Sequence, residues 1–545
     1  MANRPTFKQQ NSFVGGSEGP AYEMKPIGSA VFEEILEEPG SDTEGLETEK
    51  KGTRGDQKDM HRMNKYRKVQ ELRRNFRFLS IFGYSLILGN AWVLALTAAI
   101  IPLQNGGSGG AIWGTIIVCI GMSFSMLSMA EMASMAPTAG GQYHWVSEFA
   151  ARAWQKPLSY AVLGWQTALC SSSFTAALGI QGIIAINNET YTLPAWHAVL
   201  LTIGIVVFSI LFNTVLIRKL LFFEGIMLIL HIFVFFAVSV VLWVMGDRAP
   251  SEQTFFEFTD WSGWGSVGIA TMIGSGVAAT ATLGSDSAAH LAEELQDASW
   301  VLPRSMAVTA IVNYSLCLLM TITYMSVKGD TVDALLGSSY GQPYIQIFMN
   351  ATQSKAGTNA LTALVTILMI FGVINQVTTT SRQLFAFARD GGLPFSSFLC
   401  RVKPGWDIPL NAVTVTIAFS VLISMIILGS PTAFYNIGAL CGVGLFSSYI
   451  ICIACIAWRR IRGLPLLPCR FSLGRAGLTG SLLALAFLMV EWFFMFWPSY
   501  PNPNAAGMNW TVLIYWGVIA WSFVYYWVRG KKQYSGPVEY VRKSI

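Results

Sequence analysis

An all-α polytopic membrane protein with twelve transmembrane helices follows from three features of this chain. It is 53% hydrophobic and 12% charged, whereas a soluble domain carries about 25% charged residues. Apolar stretches long enough to span a bilayer, about 20 residues each, recur twelve times. The first and sixth stretches are interrupted by clustered glycines. If spans 1–5 and 6–10 form inverted repeats, with two extra helices appended, both interruptions fall in the first helix of a repeat. Such a 5+5 pattern with paired broken helices points to a transporter site near the bilayer midplane.

Residues 1–76 read as a disordered cytoplasmic tail. Its first half is acidic around Glu33–Glu38 and its second half basic around Arg62–Arg77, a composition that cannot bury a core. No apolar signal segment is expected there. The transporter domain then covers 77–530. Its expected spans are 79–103, 110–135, 158–186, 195–216, 222–245, 266–290, 306–327, 358–381, 409–429, 432–458, 477–497 and 510–528. The two repeats are placed at about 79–245 and 266–458, and helices 11 and 12 at about 477–528. Residues 531–545 read as a cytoplasmic C-terminal tail.

Charge sets the expected orientation. With the N-terminus inside, the five short inner loops hold fourteen Lys or Arg and the six outer loops only Arg248, Lys328 and Lys355. Positive residues stay on the cytoplasmic side. Three glycosylation sequons, at Asn188, Asn350 and Asn509, all land on the loops placed outside. A fourth, at Asn313, falls within span seven.

Composition also excludes classes. The net charge of +5 is spread over loops and gives no nucleic-acid footprint. Cys452 and Cys455 form a C-x-x-C on an apolar helix with no second ligand pair, so they read as packing residues. No metal, cofactor or enzyme chemistry is expected: the five histidines lie far apart in the chain, and catalysis needs a clustered set of groups. A small-molecule substrate and membrane lipid are the expected partners.

Three motifs carry a resemblance. The run Ser128, Glu131, Pro137, Gly140, Gly141, Gln142 and Tyr143 after span two resembles the amino acid–polyamine–organocation superfamily. The runs from Gly284 through Asp286, His290, Glu293 and Glu294 to Pro303 and Arg304, and from Ser381 through Arg389 and Asp390 to Pro394, resemble its fungal amino acid/choline permease branch. The resemblance covers about 75–530. It implies the inverted-repeat fold, alternating access and proton-coupled uptake of an amino acid, 4-aminobutyrate, choline or a related amine.

The resemblance places the first break at Leu88, Gly89, Asn90 and Ala91, and the second at Thr280, Ala281, Thr282, Leu283 and Gly284. Unwound helix ends expose carbonyls that attract an ammonium and N–H groups that attract a carboxylate. The bland alternative for the same glycines is small-residue helix packing. Ser172, in the polar run Cys170–Ser173 of span three, is a further substrate-binding candidate.

Asp286 is an intramembrane acid, which by default marks function. It is a candidate for proton coupling or for pairing a substrate amine, against a structural role of holding the break. His231 in span five is the second proton-coupling candidate. Its ordinary pKa near 6.5 suits a pH response, and relatives place a titratable lysine at a similar point. A satisfied core histidine is the alternative. In span eight, Asn375, Gln376, Thr378, Thr379 and Thr380 offer hard oxygen ligands that leave sodium chemically open. Glu131, Arg382 and Arg389 read as a cytoplasmic gate or as loop anchors.

The substrate reading favours a primary amine. Choline needs aromatic faces. Choline-specific relatives place a tryptophan where this chain has Thr280, although Tyr84, Trp92, Trp165 and Phe174 remain available. The leading expectation is a proton-driven amino acid or amine permease of the plasma membrane. A choline permease is one alternative, and a transporter-like nutrient sensor is another of a different class.

Overall fold

The computed structural model describes residues 76–151, 154–160, 165–216, 219–329, 332–402, 409–429, 431–505 and 507–534. Most of the N-terminal tail, and the C-terminal tail after Tyr534, lie outside the described residues. The described residues begin at Phe76, inside the expected tail. Its backbone pairs with the segment after span six, through Phe76 N–H to Glu294 O at 3.1 Å and Gln296 N–H to Phe76 O at 3.1 Å.

The described chain is almost entirely helical. Eleven helical segments are long and apolar enough to cross a membrane, and Val267–Ala281 is a shorter apolar helix. Together they occupy all twelve expected stretches. The first span is the most buried of the eleven and the twelfth the least. This order reflects packing. Span two (Gly107–Met135) contacts spans six, seven and eleven, and span three (Trp165–Asn187) lies along span eight (Lys355–Arg389). Span twelve (Thr511–Tyr525) touches little beyond span ten, as expected of an appended helix.

Both expected breaks are present. Span one runs as Phe78–Gly89, stops at Asn90 in the left-handed conformation (φ 45°, ψ 39°), and resumes as Ala91–Thr97. Asparagine tolerates that conformation better than most residues. Span six is helical over Val267–Ala281, turns through Gly284 at φ 97°, and continues as a 3-10 helix over Ser287–Glu294. The 3-10 form is a departure from the expected apolar helix. It stretches the chain, since 3-10 rises about 2.0 Å per residue. The loop ahead of span six is organised by Asp260. Burial pushes its carboxyl up, but hydrogen bonds from Ser262, Trp264, Gly263 and Gly265 outweigh that and hold it below the ordinary value.

The glycines have a steric reason. A Cβ on Gly284 would lie 3.0 Å from the Gly89 Cα, and one on Gly89 would lie 2.7 Å from the Asn313 amide nitrogen. The two breaks therefore touch backbone to backbone. Gly284→Ala combines this contact with a positive φ, which costs on the order of 1–3 kcal/mol. It should lower the melting temperature of the purified protein. Gly204→Ala is the contrast. A Cβ there meets nothing within 4 Å, and alanine is better by about 1 kcal/mol in a helix. Equal effects of the two substitutions in a thermal melt would refute the close-contact argument.

Candidate functional site

Between the two breaks lies a small, partly open cavity. Leu88, Gly89, Thr280, Leu283 and Gly284 line it from the breaks. Ser171 and Ser172 face it from span three, Gln376 from span eight, and Gly438, Cys441 and Leu445 from span ten. The Gln376 side-chain N–H donates to Ser172 Oγ at 3.0 Å, while Gln376 Oε1 is buried with no partner. Among the described residues no charged and no aromatic side chain lines this cavity. The polar contribution is backbone, hydroxyl and amide. The helices Phe78–Gly89 and Val267–Ala281 both end here. The C-terminal carbonyls of a helix carry partial negative charge and attract a cation.

The expected substrate residues divide. Leu88, Gly89, Ser172, Thr280 and Gly284 line the cavity. Ala91 and Ala281 instead pack with Ala95 and Cys317 behind it. The Thr282 hydroxyl is spent on its own helix, donating to Ala278 O or Ala279 O. Asn90 forms the break, and its Oδ1 is buried without a partner. Ser171, from the polar run Cys170–Ser173, lines the cavity beside Ser172, while sequence reasoning gave Leu94 and Cys441 no site role because nothing in a local pattern shows which face of a span points inward.

The aromatic candidates are also placed. Trp92 is buried against His231 and Phe235, with ring centroids at 5.7 and 5.6 Å. The Tyr84 hydroxyl lies 2.7 Å from both Asn375 O and Thr379 Oγ1. Phe174 lines a separate cavity with Leu193 and Tyr340. The side chain of Trp165 lies outside the described residues.

Asp286 is fully buried just beyond the second break. Tyr449 of span ten donates its hydroxyl to Oδ1 at 2.6 Å, and the Gln142 amide donates to Oδ2. The carboxyl therefore ties span six to span ten and to the segment after span two. Neither Gln142 nor Tyr449 carried a role in the sequence. His231 is buried in span five, where its Nε2 accepts the Trp92 indole N–H at 3.0 Å. A proton on Nε2 would set two N–H groups against each other. In this arrangement the ring packs against Ala91–Thr97, the segment of span one after the break, and does not line the cavity.

Opposite charges meet toward the end of the bundle that the charge bias assigns to the cytoplasm. Arg382 pairs with Glu294 at 3.0 Å, and Arg389 holds Glu293 through two bonds of 3.0 and 2.7 Å. Both pairs join span eight to the 3-10 segment after the second break. Tyr143 adds a bond to Asp390 at 3.0 Å. Glu131 has different partners. It pairs with Arg460 at the end of span ten and accepts from Leu473 N–H at 3.1 Å, so it anchors a loop.

The sequons differ in setting. Asn188 is exposed, with Oδ1 accepting from the Thr190 hydroxyl at 2.7 Å. Asn350 lies within the helix Pro343–Thr352. Asn509 is buried, and its amide nitrogen donates to Met495 O and Trp497 O at 3.0 and 3.1 Å. The Asn509 amide nitrogen is thus engaged with two backbone carbonyls, unlike that of the exposed Asn188. The sequon pattern could not register that the side chain turns inward.

The family model described as "Amino acid permease" matches residues 78–524. An amino-acid permease of Schizosaccharomyces pombe is 28% identical over 87% of this chain and 87% of its own length. The choline transporter of Saccharomyces cerevisiae is 27% identical over 85% of this chain and 83% of its own. Amino-acid permease 2 of Neurospora crassa is 26% identical over 86% of each.

The Arg382–Glu294 pair is buried on both sides. Removing one partner of such a pair costs about 3–5 kcal/mol because the other is left uncompensated. Arg382→Ala should therefore lower thermal stability more than the double replacement Arg382→Ala, Glu294→Ala. Additive losses in a double-mutant cycle would show that the two side chains do not act as a pair.

Proposed function

This chain belongs to the amino acid permease family, and we propose that it imports a small amino acid or amino-acid-derived amine, such as 4-aminobutyrate, by proton symport. It is an integral membrane protein of transporter type. The proposed location is the plasma membrane, with both termini cytoplasmic as the charge bias requires.

One observation supports the substrate class. Two helix C-termini converge on a cavity that has, among the described residues, neither acid nor aromatic ring. A primary ammonium can donate up to three hydrogen bonds to such carbonyls. A quaternary ammonium has no N–H to give and relies on aromatic faces. The carboxylate of the same substrate would turn toward N–H groups and hydroxyls such as Ser171 and Ser172. An organic cation is the second reading, carried by the relative named a choline transporter.

Alternating access is the proposed cycle, and the contacts at the inner end support it. Closure at the inner end depends on the pairs of Arg382 and Arg389 with Glu294 and Glu293, and on Asp286 holding Gln142 and Tyr449. Opening inward requires these bonds to part. Asp286 sits at the joint between break and gate, which suits a group whose protonation is linked to closure. With a proton bound, Asp286 offers one acceptor fewer to Tyr449 and Gln142, so the latch weakens. His231 would take part only after Trp92 moves away.

Uptake of labelled 4-aminobutyrate, neutral amino acids and choline into transport-deficient yeast, at pH 5 and pH 7.5 and with a protonophore, tests the reading. Expected is saturable, acid-stimulated uptake of a primary amine that collapses with the protonophore. Choline uptake would favour the second reading, and binding without flux would favour a sensor. Asp286→Asn keeps one acceptor oxygen and turns the other into an N–H donor, so one hydrogen bond to a charged carboxylate, worth roughly 1.5–3 kcal/mol, is lost and uptake should fall about tenfold or more. Normal uptake by this variant would remove Asp286 from the mechanism.

A further inference from the structure

Span five carries a second buried acid, Glu224, that the transport reading has not used. It is 1% exposed. Its Oε2 accepts the Asn375 side-chain N–H at 3.2 Å, and its Oε1 is buried with no hydrogen-bond partner. Among the described residues it forms no ion pair. A carboxylate in this setting is costly, since a lone charge at membrane depth needs a partner.

The geometry around it is specific. Asn375 gives its other N–H to Tyr84 O at 3.2 Å, and the Tyr84 hydroxyl lies 2.7 Å from Asn375 O. Asn375 is thereby fixed between span one and span five. Its own Oδ1 is buried and unpartnered. An amide and a carboxyl group can form two hydrogen bonds with each other only when the carboxyl is protonated. One bond is then N–H to carboxyl oxygen, and the other is O–H to amide oxygen. The first is in place, and the two atoms of the second are the two left without partners.

We propose that Glu224, paired with Asn375, is a seat of the transported proton. This rests on the reading of the chain as a proton-coupled transporter. The carboxylate takes one proton from the outer side to become a carboxylic acid, and returns it as the bundle opens inward. No other bond is made or broken. A sodium ion fits less well: hard cations need about six oxygen ligands, and the pair leaves two free. The groups facing Glu224 are Tyr84 on span one and Asn375 on span eight, with Thr379 one turn along and His231 two turns away on its own helix. The Arg382–Glu294 pair lies within electrostatic range of Tyr84.

Coupling to substrate is built into the same helices. Gln376, which lines the cavity, follows Asn375 directly. Tyr84 and Leu88 lie on the same half of span one, and Leu88 also lines the cavity. Any shift of span one on substrate binding therefore moves the Tyr84–Asn375 contact that orients Glu224.

The test uses the full chain in proteoliposomes, with the substrate found in the uptake panel. Two signals are read: substrate exchange at equal pH, and accumulation driven by an acid gradient with a pH-sensitive dye. Glu224→Gln keeps the shape and the bond to Asn375 but cannot exchange a proton. Accumulation and dye response should fall at least about tenfold further than exchange, the scale of a typical coupling energy. Asn375→Ser leaves Glu224 intact, removes its amide partner and should displace the pH profile of uptake. That variant also keeps the proposal testable if Glu224→Gln does not fold. Equal losses of exchange and accumulation, or accumulation driven by sodium, would overturn the role of Glu224. So would an unchanged profile in Asn375→Ser. A wild-type protein that exchanges no substrate would instead sink the transport reading, and this role with it.

Discussion

The structure turns on the contact between two unwound backbones. Gly89 and Gly284 approach so closely that a side chain on either would collide with a neighbour. Unwinding a helix inside a membrane exposes backbone groups that lipid cannot satisfy. Burying both breaks against each other and against span seven meets that demand. Asn313 of span seven donates to Leu86 O at 3.4 Å from its position beside Gly89. The same unwinding leaves a small cavity whose polarity is mostly backbone. The site is therefore a by-product of how the first and sixth spans avoid unsatisfied bonds.

The ionisable groups of the bundle follow a division of labour. Toward the end assigned to the cytoplasm, acids meet arginines: Glu293, Glu294 and Glu131 each have one. Deeper in the bundle, Asp286 and Glu224 meet neutral donors instead, tyrosine, glutamine and asparagine. Paired charges hold segments together with little dependence on protons. Acids held by neutral partners respond to protonation because one hydrogen-bond pattern serves the carboxylate and another serves the acid. Glu491 repeats this arrangement on span eleven, where it accepts from Ser275 of span six at 3.0 Å.

Much of the architecture was legible in one dimension. Span length and apolar composition respond to bilayer thickness, which is a property of the solvent and not of the fold. The breaks were legible because glycine clusters inside an apolar run are costly unless used. Thus Asn90 and Gly284 fall within the segments expected to break. The placement of the tail boundary was less legible. Phe76 pairs through its backbone with Glu294 and Gln296, more than two hundred residues away, a contact no local pattern records.

The sequence by itself determined which segments are apolar enough to cross the membrane, where two of them unwind and that Asp286 lies at membrane depth, because hydropathy, glycine content and the cost of charge are local properties. Only the tertiary structure decided who meets whom. It turned Ala91, Ala281 and Thr282 away from the cavity, occupied Trp92 with His231, and drew Asn509 inward. It also gave Asp286 its Tyr449 and Glu224 its Asn375. These choices depend on the rotation of each helix about its own axis. In a span apolar on all sides, no periodic pattern records that rotation. Packing against neighbours sets it, through small residues and buried hydrogen bonds whose partners lie far apart in the chain.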